Sequence, residues 1–135
     1  MIVDTSALLA YFNRSEPQHL AVATAIEDSG QPLIVSPYVL AELDYLISTR
    51  HGVTAELKVI DELTSGAWQL VSLEMEEIKR ARNIIEHYSD QSVGLADAAN
   101  VVLAERFGDT TVATLDRRHF AVLRTADGRA MKIVP

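Results

Sequence analysis

One feature constrains this chain more than any other: short apolar runs alternate with longer segments of helical periodicity along its whole length. Met1–Val3 reads as a strand. Ser6–Phe12 reads as a short helix, and the residues from Asn13 to Pro17 break it. Gln18–Ser29 is helical, with Leu20, Ala21, Ala23, Ala25 and Ile26 apolar and Gly30 closing it. Leu33–Val35 is a second strand. Ser36-Pro37 is a helix start, a capping hydroxyl followed by proline at the first helical position. That helix runs to about Arg50, with Gly52 after it. Thr54 reads as the cap of a further helix that ends near Gly66. Trp68–Val71 is a third strand, and Glu74–Tyr88 a helix with acids in its first turn, which suits the helix dipole. A loop containing Gly94 leads to a helix from about Ala96 to Phe107, closed by Gly108. Thr111–Thr114 is a fourth strand, a short helix follows Asp116, and Lys132–Val134 is a last strand. Strands that alternate with helices predict a parallel sheet covered on both faces. The expected fold is α/β, in three α/β/α layers around about five parallel strands, and residues 1–135 form a single domain with no repeat or linker.

Composition narrows the chemistry. There is no cysteine, which removes disulfides, thiolate metal sites and cysteine nucleophiles together. A hydrophobic fraction of 48% with 23% charged residues can fill a core without staples, so disorder is excluded. No basic leader precedes an apolar run, and no stretch approaches the roughly 20 apolar residues of a membrane span; the expectation is a soluble, cytoplasmic protein. The formal net charge of −7 argues against a purely electrostatic nucleic-acid binder. Acids gathered at a metal site, with bases on the rim, would still permit chemistry on RNA.

Four carboxylates carry the functional reading. Asp4 follows the first strand directly and Asp116 lies just past the fourth. In a parallel sheet both then sit on the carboxyl edge, where ligands bind. Asp97 opens a helix that is apolar nearly all round, so its carboxylate is aimed near the interior, where it requires a cation, a donor or a proton. Glu42 borders the stripe Val39, Leu40, Leu43, Leu46, Ile47. Each acid also has a plainer role open to it: Asp4 and Asp116 as helix caps, Asp97 as a first-turn acid, Glu42 as a solvated flank. Acids about 4 Å apart repel by roughly 1–4 kcal/mol per pair, and a hard divalent cation reverses that sign. An oxygen-only set favours Mg²⁺ or Mn²⁺ over Zn²⁺. The four histidines are scattered, without metal-site spacing.

The segments MIVDTSALLAYF, SPYVLAELDYLI, GLADAANVVLAERFG and VATLDRRHF resemble the four signature segments of PIN domains. They are most similar to those of the VapC toxins of bacterial VapBC toxin–antitoxin modules. The resemblance spans essentially the whole chain. It implies a PIN-like fold and an endoribonuclease dependent on Mg²⁺ or Mn²⁺. It places the catalytic quartet on Asp4, Glu42, Asp97 and Asp116, with Asp4, Asp97 and Asp116 holding the metal and Thr5 or Ser6 and Thr114 as supporting hydroxyls. It further implies a homodimer, a cognate VapB-type antitoxin whose C-terminal segment occupies the active-site groove, and a structured RNA substrate, either tRNA or the sarcin–ricin loop of ribosomal RNA. DNA would be met only through the antitoxin.

Around the quartet, Asn100 lies one turn from Asp97 and could donate to a carboxylate or to substrate. Arg117 and Arg118, with His119, could meet RNA phosphates or form a solvated turn. Competing functions fit less well. A haloacid-dehalogenase-type phosphatase needs an acid where Ser6 stands, and a receiver domain needs an Asp after the third strand, where Ser72-Leu73-Glu74 stands. A PIN fold kept only for binding RNA or protein is the remaining alternative.

Overall fold

The computed structural model describes residues 1–135. Its elements, in chain order, are β1 (Ile2–Val3), α1 (Thr5–Phe12), α2 (His19–Glu27), β2 (Leu33–Val35), α3 (Pro37–His51), α4 (Val53–Leu63), β3 (Trp68–Leu70), α5 (Met75–His87), α6 (Leu95–Phe107), β4 (Thr111–Ala113), α7 (Arg117–Val122) and β5 (Lys132–Val134). All five strands are parallel, in the order β3-β2-β1-β4-β5. The expected three-layer α/β/α architecture is the one the chain adopts. Element ends shift by a residue or two, as they do where helices fray into caps.

Alternation along very short strands builds the two covered faces. Val3, Val35 and Ala113 turn to one side, where they pack with Leu8 of α1, Val22 and Ile26 of α2, and Val39 and Leu43 of α3. Ile2, Ile34 and Val112 turn to the other side and meet Ala81 and Ile84 of α5, Val101 and Leu103 of α6, and Phe120 of α7. Every residue of α6 from Ala98 to Ala104 is buried, which explains why its sequence shows no polar face.

Local signals account for most of the ends. Ser36 Oγ accepts the Val39 N–H at 3.1 Å and Pro37 opens α3, as the sequence predicts. Thr54 does not cap α4. Gly52, at φ +83°, ends α3 and begins α4 by itself. A single residue that turns one helix into the next must leave right-handed space, which glycine does without a Cβ penalty. Gly108, in left-handed conformation at φ +67°, closes α6.

The strand order reverses between β1 and β4: the chain proceeds from β1 through β2 to β3 on one side, then returns to place β4 on the other. The crevice beyond the carboxyl ends of β1 and β4 is the topological switch point at which open α/β sheets bind their ligands. No helix is long and apolar enough to cross a membrane.

Candidate active site

Asp4 leaves the end of β1 and stands at the cap position of α1, yet its side chain makes no capping hydrogen bond. It is turned instead into the switch-point crevice, where three donors hold it. Ser6 Oγ and Thr114 Oγ1 each donate to Oδ2 at 2.9 Å, and Asn100 Nδ2 donates to Oδ1 at 3.3 Å. Ser6 and Thr114 spend their single protons on Asp4, and their oxygens accept the Leu115 and Asp116 N–H groups at 2.9 and 3.0 Å. These bonds fasten the end of β1 to the turn after β4. Of the sequence-predicted supporting residues, Ser6, Thr114 and Asn100 all touch Asp4. Thr5 instead donates to Glu42 Oε2 at 3.1 Å.

Asp97 and Asp116 both approach His119, which by sequence belongs to a basic turn able to meet phosphates. His119 Nδ1 lies 3.2 Å from Asp97 Oδ2 and 3.2 Å from Asp116 Oδ2. Neither approach has hydrogen-bond geometry. Both plainer roles coexist with the functional one: Asp116 Oδ1 caps α7 by accepting the His119 N–H at 3.3 Å, and Asp97 Oδ2 accepts the Gly94 N–H at 3.2 Å. Burial pushes the Asp97 carboxyl above the usual range. The Gly94 hydrogen bond opposes this, Asp4 and Asp116 add to it, and His119 opposes it again. Asp4, Asp97 and Asp116 therefore form one electrostatic unit. Glu42 is exposed on α3 and reaches the unit's edge through Thr5.

The chain holds three buried side-chain polar atoms without a hydrogen-bond partner: Asn100 Oδ1, His119 Nδ1 and His119 Nε2. All belong to side chains that touch the acids. The donor set consists of hard carboxylate oxygens, which fits Mg²⁺ or Mn²⁺. No three acids or histidines are gathered around one point ready for a metal ion. The donors just described explain this, because Asp4 is turned to its hydroxyls and amide while Asp97 and Asp116 are turned to His119.

Other residues lie elsewhere. Arg117 is exposed and bonds the Pro135 carbonyl through Nη2, and Arg118 is exposed beside it, so both are on the rim. Asp44 faces Glu56, whose carboxyl rises chiefly because the two share a hydrogen bond. A surface cavity of about 590 Å³ lies between α1, α2, α3 and α4 and contains none of the four acids.

The switch point beyond β1 and β4 carries carboxylates and hydroxyls on an α/β/α scaffold. Residues 1–125 match the PIN-domain model, and the chain belongs to the PIN-domain family. Within that family its kinship is with the VapC proteins: it is 55% identical to ribonuclease VapC26 of Mycobacterium tuberculosis over 135 residues, all of both chains. Solved structures agree on the fold. Mycobacterium tuberculosis VapC20, described as a sarcin–ricin loop cleaving toxin, superposes with a TM-score of 0.78 at 18% identity, covering 85% of this chain and 88% of its own. The DNA-bound VapBC of Salmonella typhimurium gives 0.69 at 19% identity over 98% and 94% of the two chains. FitAcB of Neisseria gonorrhoeae gives 0.66 at 16% identity over 99% and 96%.

Proposed function

We propose that this protein is a Mg²⁺- or Mn²⁺-dependent endoribonuclease and the toxic partner of a toxin–antitoxin pair. The observation that carries the reading is the placement of Asp4 and Asp116 beyond the carboxyl ends of β1 and β4, with Asp97 close enough for both to raise its carboxyl, supported by kinship to a named ribonuclease over all of both chains.

Asp4, Asp97 and Asp116 are the residues that would hold the cation. When bound, the cation offsets charge on the scissile phosphate and lowers the pKa of water. The chain's own groups do the rest. Ser6, Thr114 and Asn100 fix the Asp4 carboxylate in one orientation, so little reorganisation is needed when a phosphate arrives. Glu42, exposed and steadied by Thr5, stands where it can orient a water and accept its proton. Arg117 and Arg118 on the rim offer positive charge to flanking phosphates and offset the repulsion between an acidic protein and RNA.

The substrate class is structured RNA, either tRNA or the sarcin–ricin loop. The cognate partner is a VapB-type antitoxin whose basic side chains enter the acidic crevice, and DNA is reached through that partner. The toxin acts as a homodimer in the cytoplasm. These readings are tested by incubating the purified chain with total bacterial RNA, with Mg²⁺, Mn²⁺ or EDTA, and mapping the ends. A discrete cut that requires metal supports the proposal; a folded, metal-loaded protein that leaves all RNA intact favours a PIN fold kept for binding.

A further inference from the structure

Two elements flank α6, and one acid ties them together. α5 runs antiparallel to it: Arg80 Nη2 meets Glu105 Oε1 at 2.9 Å, and Arg106 Nη1 meets Glu77 Oε1 at 3.0 Å. The Tyr88 end of α5 therefore lies at the Asp97 end of α6. α7 and the loop after it follow α6 in its own direction, from His119 beside Asp97 to the Ala126 N–H, which donates to Glu105 Oε1 at 2.6 Å. Glu105 Oε1 thus holds Arg80 on one side and the loop after α7 on the other. Between the two walls lies a cleft of about 450 Å³, lined by Arg80, His87 and Tyr88 of α5 and by Arg124 and Thr125 opposite them. No carboxylate lines it.

Resting on the nuclease reading above, we propose that this cleft holds the phosphate backbone of the RNA strand flanking the cut, with Arg124 and Arg80 as its phosphate contacts. Arg124 Nη1 donates to the Ala121 and Leu123 carbonyls at 2.9 and 2.8 Å, and the side chain meets no carboxylate. Anchored in this way, the exposed guanidinium keeps its Nε and Nη2 donors free. A guanidinium that is fixed in place and not neutralised suits the paired oxygens of a phosphate. Arg80 gives Glu105 one nitrogen only, and Glu105 also accepts the Ala126 N–H. Other acids close by in sequence are engaged with their own partners, Asp127 with Arg129 and Glu86 with Arg82. A chain of net charge −7 repels RNA at long range, so an approaching strand needs local cations. The cleft supplies them along a path that starts at the acids, because both of its walls begin there. At 1.5 Å per residue, Arg124 stands about 10 Å along α7 from Arg117 on the rim. Backbone contacts position a strand without reading its sequence, so one cleft serves either a tRNA or a ribosomal RNA loop.

The test reads binding by fluorescence anisotropy of a labelled bacterial tRNA pool and of a labelled sarcin–ricin loop hairpin, across a series of salt concentrations. The full chain carries Asp97→Asn, so that RNA is held and not cut. Adding Arg124→Gln is expected to weaken binding of both RNAs about tenfold, the scale of one lost hydrogen bond to a charged group. It should also lower the slope of log affinity against log salt by about one. Arg124→Glu should lose more, and Arg80→Gln should move in the same direction. Lys58→Gln makes the same change of charge on α4, outside the cleft, and should stay near the parent. With Asp97 restored, Arg124→Gln should raise KM for RNA cleavage and leave kcat unchanged, as expected of a contact made equally before and during the reaction. Binding by Arg124→Gln equal to the parent, or a loss no larger than that of Lys58→Gln, would overturn the inference; so would a loss confined to kcat. Wild type that cuts RNA, with Arg124 variants that bind and cut as it does, defeats this inference alone. Arg124-dependent RNA binding without any cut defeats the nuclease reading and leaves the cleft as an RNA-backbone site. A folded protein that binds neither RNA defeats both.

Discussion

Asn100 Nδ2 donates to Asp4 Oδ1 at 3.3 Å from a position on α6 that is wholly buried, and so ties the helix carrying Asp97 to the strand end carrying Asp4. The pair are 96 residues apart in sequence. Through this bond the spacing of two acids of the proposed site is set by helix-to-sheet packing and not by a loop. Asn100→Leu, which keeps the volume and removes the donor, should lower RNA cleavage about tenfold or more, since a buried charged acceptor loses a bond worth ~1.5–3 kcal/mol. Circular dichroism should stay native. Wild-type cleavage by a folded variant would remove Asn100 from the site.

Thr114 gives a second, independent handle on Asp4. Its hydroxyl donates to Oδ2 and accepts the Asp116 N–H, so it orients two of the acids at once. Thr114→Val should weaken cleavage and Mn²⁺ binding together, while Thr114→Ser, which restores both bonds, should recover most of each. Equal loss in Val and Ser would mean that the methyl group, and not the hydroxyl, matters.

The raised Asp97 carboxyl makes stability depend on pH in a definite sense. Its ionised form is disfavoured in the folded chain, chiefly by burial and then by Asp4 and Asp116, with the Gly94 hydrogen bond opposing. A group raised on folding contributes stability that is full below its unfolded pKa and is lost as pH rises through its folded pKa. In EDTA, the melting temperature of wild type relative to Asp97→Asn should therefore fall as pH rises from the unfolded aspartate range through the elevated Asp97 range, then level off. A difference that stays flat across that window would mean Asp97 is not desolvated.

Away from the site, Leu103 on α6 is fully buried in the core beneath the acids. Leu103→Ala should cost about 2–5 kcal/mol, measured by urea unfolding, through lost burial and the cavity left behind. A cost under ~1 kcal/mol would show that α6 relaxes easily and is a poor platform for Asp97.

The sheet and its helices were legible because most strands end at a capping or breaking residue and the helices open and close on caps and glycines. Parallel pairing then put Asp4 and Asp116 on one edge by topology alone. The strand order, with its reversal between β1 and β4, was not legible, because three-residue strands carry no signal of which neighbour they pair with. Thr54 misled because a hydroxyl near a helix start usually caps it, whereas Gly52 makes the turn in one step. In the sequence His119 reads as part of a basic turn with Arg117 and Arg118. The signal that could have found it is its position three residues after Asp116 in a helical segment, which puts both on one face, beside a Phe120 that must point inward. Its contact with Asp97 is tertiary and no spacing reveals it.

In the proposed function, Asp97 works within a metal-dependent nuclease. The most direct measurement is end-mapping by sequencing of total bacterial RNA treated with wild type and with Asp97→Asn, each in Mg²⁺, Mn²⁺ and EDTA. Wild type is expected to make a discrete cut that disappears in EDTA and in the variant, while both proteins remain folded. A cut that survives in Asp97→Asn, or in EDTA, would contradict it.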